Sequence, residues 1–223
     1  MKEIINSNHF YQFLSIVVLA LFYGIYYTKM FVQRKKGIKT NQIGSVKKRS
    51  VFVTELLMSI ATLTIVIVQI CSIIFNLNDM PIVGRIIGFF IGLFGDIVFL
   101  LSIICMKESW RAGIPSTDKT KLVTNGIYKY SRNPAFLGFD LMYIGILLLN
   151  FNIVNMVFTI FAIVMLHLQI LQEEKFMFER FGDEYQNYKS TVNRYIGKKC
   201  IKKESWDKVW LTIQQNLELE QAI

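Results

Sequence analysis

Apolar residues fall in five blocks, residues 10–28, 51–75, 82–106, 135–149 and 153–172, separated by segments in which polar and charged residues collect. Most of the blocks approach or exceed the roughly 20 residues an α-helix needs to cross a hydrocarbon core of about 30 Å. The block at 135–149 is shorter, roughly 22 Å of helix at about 1.5 Å per residue. The pattern predicts an all-α polytopic membrane protein with about five transmembrane helices. Asn150, Asn152 and Asn155 mark a hairpin turn between the last two blocks, and the final helix is expected to continue through Phe181, carrying Glu173 and Glu174 just beyond the lipid. Gly84, Gly88 and Gly92 recur every four residues, a spacing that stacks small residues on one helix face and lets another backbone approach.

Polar residues inside these blocks change the picture, since a carboxylate is costly in lipid. Glu55, Asp96 and Asp140 are therefore functional candidates, with a protonated or hydrogen-bonded packing role as the alternative. If they formed a polar relay, the chain would read as a small transporter or membrane adaptor. His9 and His167 are isolated from each other and from other ligand types, so no metal site is expected. Cys71 and Cys105 lie in apolar blocks and Cys200 in the tail, which suggests neither a disulfide framework nor zinc.

Composition agrees: the 223 residues are 53% hydrophobic and 18% charged, outside the range of an ordinary soluble domain. The net charge of +9 does not point to nucleic acid, because the basic residues crowd the segments beside the apolar blocks. Lys29, Arg34, Lys35, Lys36, Lys39, Lys47, Lys48 and Arg49 fill the first loop without an acid, whereas residues 76–80 hold no base. The positive-inside rule then places the first loop, residues 107–133 and the tail in the cytosol and the amino terminus outside, in a plasma or inner membrane. No signal peptide is evident at residues 1–8, and the first block is expected to stay as a span. Three regions are expected: helices over 1–106, a core with the chemistry-bearing motifs over 107–196, and a basic tail over 197–223. In that tail Lys198, Lys199, Lys202 and Lys203 precede Trp206, Trp210, Ile213 and Leu217 at helical spacing, which suits either an interfacial helix on membrane lipids or a helix packed on its own domain.

Candidate chemistry lies where the last hairpin begins and ends. Tyr128, Arg132, Asn133 and Phe136 at its start and Glu173 with Glu174 at its end offer an aromatic face, a carboxylate-binding fork, an amide and anionic acceptors. That set suits a zwitterionic aromatic ligand: the acids meet an ammonium or ribose hydroxyls, Arg132 a carboxylate, and a ring a purine or sulfonium. Each residue alone also has an ordinary role, as charge anchor, interface belt or helix surface.

Four motifs over residues 110–194 read together: Leu122-Val-Thr-Asn-Gly-Ile-Tyr128, Arg132-Asn-Pro-Ala-Phe-Leu-Gly138, Glu173-Glu174, and Phe181-Gly-Asp-Glu-Tyr-Gln-Asn-Tyr188. This arrangement resembles the isoprenylcysteine carboxyl methyltransferases, a family of integral membrane enzymes with similarity to phospholipid methyltransferases. The resemblance implies S-adenosylmethionine bound at the cytosolic face, a lipophilic or membrane-associated small-molecule acceptor, and methyl transfer. It implies the adenosyl moiety near Lys121, Leu122, Val123 and Tyr128, the amino-acid portion along Asn133, Pro134, Ala135 and Phe136, and closure by Glu173. Asn133 stands where the family has histidine and Phe136 where it has tyrosine. Gln169, one turn before Glu173, stands where eukaryotic members place an arginine thought to orient the substrate carboxylate. A neutral amide cannot form that bidentate ion pair, so the expected acceptor is not a prenylcysteine carboxylate.

The charge asymmetry predicts a topology. In a chain first freed of Cys71, Cys105 and Cys200, a cysteine at Asn78 should react with an impermeant thiol reagent in intact cells while one at Gly44 stays shielded. Labelling of the Gly44 position from outside would invert the arrangement.

Overall fold

Inside lipid no water is available to backbone amides, so apolar blocks close their hydrogen bonds within the segment and fold as helices. The computed structural model describes residues 8–38, 40–43, 49–111, 113 and 121–199. Its helices are α1 (Asn8–Lys35), α2 (Arg49–Ile74), α3 (Ile82–Met106), α4 (Pro134–Leu149) and α5 (Ile153–Thr191), with short 3-10 turns at Lys107–Ser109 and Gly126–Lys129. Four of them, α1, α2, α3 and α5, are long and apolar enough to cross a membrane, and α4 is the shorter apolar helix. The five expected blocks are thus all helical, with four full-length candidates and one short partner. Helix α1 runs past its expected block at both ends, chiefly at the carboxyl end, where hydrogen bonding continues through Lys35; α2 starts two residues early, at Arg49, and ends one residue short, at Ile74. The amphipathic tail helix proposed from Trp206, Trp210, Ile213 and Leu217 lies outside the described residues, as do Lys47 and Lys48.

The tightest packing joins α3 to α4, where glycine removes the side chain that would hold the backbones apart. A Cβ on Gly145 would collide with the backbone of Gly92 and Gly88. One on Gly95 would sit 2.8 Å from the Gly138 carbonyl, and one on Gly88 would sit 2.8 Å from the Gly145 carbonyl. The expected glycine face is therefore real at Gly88 and Gly92 and continues through Gly95 rather than Gly84, whose open side is filled by the Met80 side chain. Helix α4 carries no exposed residue. Beside this pair, Phe22 of α1 stacks on Phe99 with centroids 4.6 Å apart and meets Phe139 edge-on at 4.6 Å.

Polar residues fasten the opposite end of the bundle. Buried Arg85 donates from Nε to the Leu149 carbonyl at 3.0 Å and from Nη1 to Asn8 at 2.7 Å, and its guanidinium lies 4.0 Å from the Tyr11 ring centroid. The Asn152 side chain caps α5 by accepting from the Asn155 amide at 2.9 Å, and Asn150 donates to Ser15 Oγ at 2.7 Å. Helix α5 runs from this turn for 39 residues, interrupted at Gly182, whose φ of 50° is a left-handed conformation natural to glycine. The expected helix through Phe181 ends there, and a further two turns follow in a new direction.

The α3–α4 contact predicts a contrast. Gly145→Ala should lower stability by about 1–3 kcal/mol through overpacking, whereas Gly24→Ala, with open space around it, should be neutral or slightly stabilising. Thermal unfolding of the two variants in one detergent checks this, and equal midpoints would refute the close approach.

Candidate active site

Three short-range features bring the hairpin motifs together. Gly126, at φ 58°, opens the 3-10 turn that delivers Tyr128. Pro134 occupies the first turn of α4, where its missing N–H costs nothing. The third feature is helical register on α5, which sets Gln169 about one turn before Glu173 and turns adjacent Glu174 to a neighbouring face.

Between α1, α2, α4 and α5 these elements enclose a cavity of about 590 Å3, within the roughly 300–1,000 Å3 usual for small-molecule sites. Its polar end is lined by Lys121, Leu122, Val123, Tyr128, Arg132, Asn133, Glu173 and Glu174, joined by Tyr185 and Tyr188 from beyond the Gly182 break. Ala135 and Phe136 stand on the wall where this end passes into an apolar groove. The groove follows Met58, Thr62, Val66 and Ile70 along α2, a four-residue stripe roughly 18 Å long at about 1.5 Å per residue. Tyr23, Tyr26 and Tyr27 of α1 and Phe139 and Tyr143 of α4 face it.

Among the residues expected from the motifs to bind cofactor or substrate, only Pro134 and Gln169 are off this wall. Pro134 is buried at the start of α4. Gln169 is fully buried and its Nε2 donates to Glu173 Oε1 at 3.1 Å, so it orients that carboxylate from behind. The buried carboxylates Glu55, Asp96 and Asp140 do not line the cavity. No group of three or more His, Cys, Asp or Glu side chains suited to a metal stands together among the described residues.

Glu174 is the ionic centre of the polar end. Its Oε1 accepts from Arg132 Nη2 at 2.7 Å and from Asn133 Nδ2 at 3.1 Å, and its Oε2 accepts from Arg194 Nη2 at 2.9 Å. Arg132 spends its other terminal nitrogen on the Val192 carbonyl at 2.6 Å. The guanidinium fork expected to take a ligand carboxylate is thus engaged with protein groups, and it neutralises Glu174 in place. Hydrogen bonding to Glu174 also holds the Arg194 guanidinium above its ordinary pKa. Burial pushes the Tyr128 phenol well above its ordinary pKa against the opposing effect of its Ser102 hydrogen bond, so at neutral pH it is a neutral donor and aromatic wall.

Sequence reasoning missed Arg194, Tyr195 and the α1 and α2 walls. The α2 stripe was legible as four residues at helical spacing, but its apolar face looks the same whether it meets lipid or a ligand. His167, set aside as isolated, donates to or accepts from Tyr195 Oη at 2.7 Å. That contact joins residues 28 apart in the chain, which no local pattern signals.

Comparison with known proteins locates the same region. Residues 86–179 match the model of the isoprenylcysteine carboxyl methyltransferase (ICMT) family. A protein-S-isoprenylcysteine O-methyltransferase of Saccharomyces cerevisiae is 40% identical over 72 residues, 32% of this chain and 30% of that protein. The Schizosaccharomyces pombe protein of the same name is 35% identical over 72 residues, with the same coverage of 32% and 30%. A probable protein-S-isoprenylcysteine O-methyltransferase of Oryza sativa subsp. indica is 27% identical over 110 residues, 48% of this chain and 58% of that one. The alignments thus span about a third of the yeast relatives and just over half of the rice relative. The matched segment contains α4, most of α3 and α5, and the cavity residues of the first three motifs, while Tyr185 and Tyr188 of the fourth lie beyond it.

Proposed function

We propose, for a chain that belongs to the isoprenylcysteine carboxyl methyltransferase family through residues 86–179, that it transfers a methyl group from S-adenosylmethionine to a lipophilic acceptor held in the membrane. The observation that carries this reading is the continuity of a polar, charged chamber with an apolar groove in one cavity. A water-soluble zwitterion and a lipid-soluble acceptor can then meet without either leaving its preferred medium. S-adenosylmethionine, when bound, supplies a methyl already activated by its sulfonium and departs as S-adenosylhomocysteine.

The chain's own residues bind and align. Leu122, Val123 and Tyr128 offer an apolar and aromatic wall for a purine. Glu173, fixed by Gln169, offers a carboxylate to an ammonium or ribose hydroxyl. Phe136 and Phe139, at the junction of chamber and groove, exclude water from the line of transfer. With the charge asymmetry of the loops, this chamber faces the cytosol, where the cofactor is made available.

The acceptor follows from the cations. Arg132 is engaged with Glu174 and Val192, and Gln169 is a neutral amide bonded to Glu173, so neither motif turns a guanidinium fork to the groove; Arg111 is a further cation on the cavity wall, outside both motifs. In a low-dielectric groove an unpaired carboxylate carries a desolvation cost of several kcal/mol. The reading therefore favours an amine, thiol or phenol on an apolar body over a prenylcysteine carboxylate.

Two measurements test this. Calorimetric titration of detergent-purified protein with S-adenosylhomocysteine should detect binding, and Glu173→Gln should weaken it about ten- to a hundredfold, the scale of a charge-assisted hydrogen bond. Glu179→Gln, more than a turn farther along α5, should leave it nearly unchanged; equal effects would remove Glu173 from the site. Methyl transfer from labelled cofactor should be faster to neutral lipophilic amines, thiols or phenols than to a farnesylcysteine analogue, and turnover of that analogue alone would refute the acceptor assignment.

A further inference from the structure

We propose that Arg194 is a positioning residue of this site, acting through Glu174, and that residues 192–199 form a strap holding the polar end of the cavity in its binding shape. This rests on the reading above for the ligand it serves. Arg194 lies beyond the segment matched to the family, which ends at residue 179, and it is not on the cavity wall.

The strap is tied along its length to the turn that precedes α4. The Arg132 amide donates to the Asn193 carbonyl at 3.1 Å and the Gly197 amide to the Tyr130 carbonyl at 2.7 Å. Asn133 Nδ2 donates to the Arg194 carbonyl at 3.3 Å, and Tyr195 Oη meets His167 Nδ1 at 2.7 Å. Through these contacts the strap touches both the start of α4 and the middle of α5, the two walls that the proposed cofactor must bridge.

Arg194 then completes a charge arrangement that neither wall achieves alone. Glu174 is only 7% exposed, and burying a carboxylate requires donors at both oxygens. Arg132 and Asn133 serve Oε1, while Arg194 is the one donor to Oε2 among the described contacts. Arg132 has its remaining terminal nitrogen on the Val192 carbonyl and is not free to turn. Loss of Arg194 leaves Oε2 seeking a partner, and rotation of Glu174 to find one releases Asn133 from the wall. It also unmasks a second negative charge beside Glu173, which changes what the chamber selects.

A double-mutant cycle tests the coupling, with S-adenosylhomocysteine as the probe. Arg194→Gln should raise its Kd about tenfold, Arg194→Lys should raise it less, and Glu174→Gln should raise it too. Adding Arg194→Gln to Glu174→Gln should cost nothing further, because the side chain through which Arg194 acts is already altered. A full additional loss in the double variant, or an unchanged Kd in Arg194→Gln, would overturn the proposal. If Arg194→Gln does not fold, an unchanged Kd in Arg194→Lys would overturn it equally. Hydrogen exchange at the Arg132 and Gly197 amides should speed up in Arg194→Gln without ligand; wild-type protection there would refute the strap. Absence of binding by the unaltered protein would instead refute the methyltransferase reading and leave the strap to be judged by exchange alone.

Discussion

Backbone contact between α3 and α4 is the constraint on which the rest of the structure depends. Gly92 and Gly145 let the two helices touch main chain to main chain, and Gly88, Gly95 and Gly138 extend that contact. Lipid tails are as apolar as leucine, so helices in a membrane gain little from hydrophobic burial against one another and rely on close packing and hydrogen bonds. The glycine seam supplies the first and the Arg85, Asn150 and Asn152 fastenings the second. Together they fix the depth of α4, and hence the place where Arg132, Asn133 and Pro134 enter the bundle.

From that fixed point the site is assembled by charge. Arg132 leaves the start of α4 already directed at α5, where Glu174 is held by two guanidinium groups and an amide. Glu173, one residue earlier, has a different environment: it faces the cavity and is steadied by a neutral amide. Two adjacent acids thus have different surroundings, one tying the walls together and one lining the cavity. The apolar groove requires no such arrangement, since α1 and α2 need only present side chains of suitable size along one face.

Much of this was legible in the sequence because membrane segments and motifs are local signals. Block lengths gave all five helices, the glycine repeat gave part of the seam, and the motifs gave the residues of the polar end. What was not legible depended on distant pairings. The mutual commitment of Arg132 and Glu174 spans 42 residues, so the sequence showed a free fork and a free acid where the fold has an ion pair. Gln169 is expected at the substrate because the resemblance puts an arginine at that position, yet a short neutral amide there packs inward, fully buried. The α2 wall was hidden for another reason: groove and lipid ask for the same residues.

Helix α4 is enclosed by its neighbours and has no exposed residue. Bilayers of different thickness act on lipid-facing helices, which respond by tilting or by local deformation of the membrane. A sixteen-residue helix in direct contact with lipid would be the element most strained by a thick bilayer. Shielded as it is, α4 hands that adjustment to the four longer helices around it. The depth of the chamber is consequently tied to the contacts of α4 with protein rather than to direct contact with lipid.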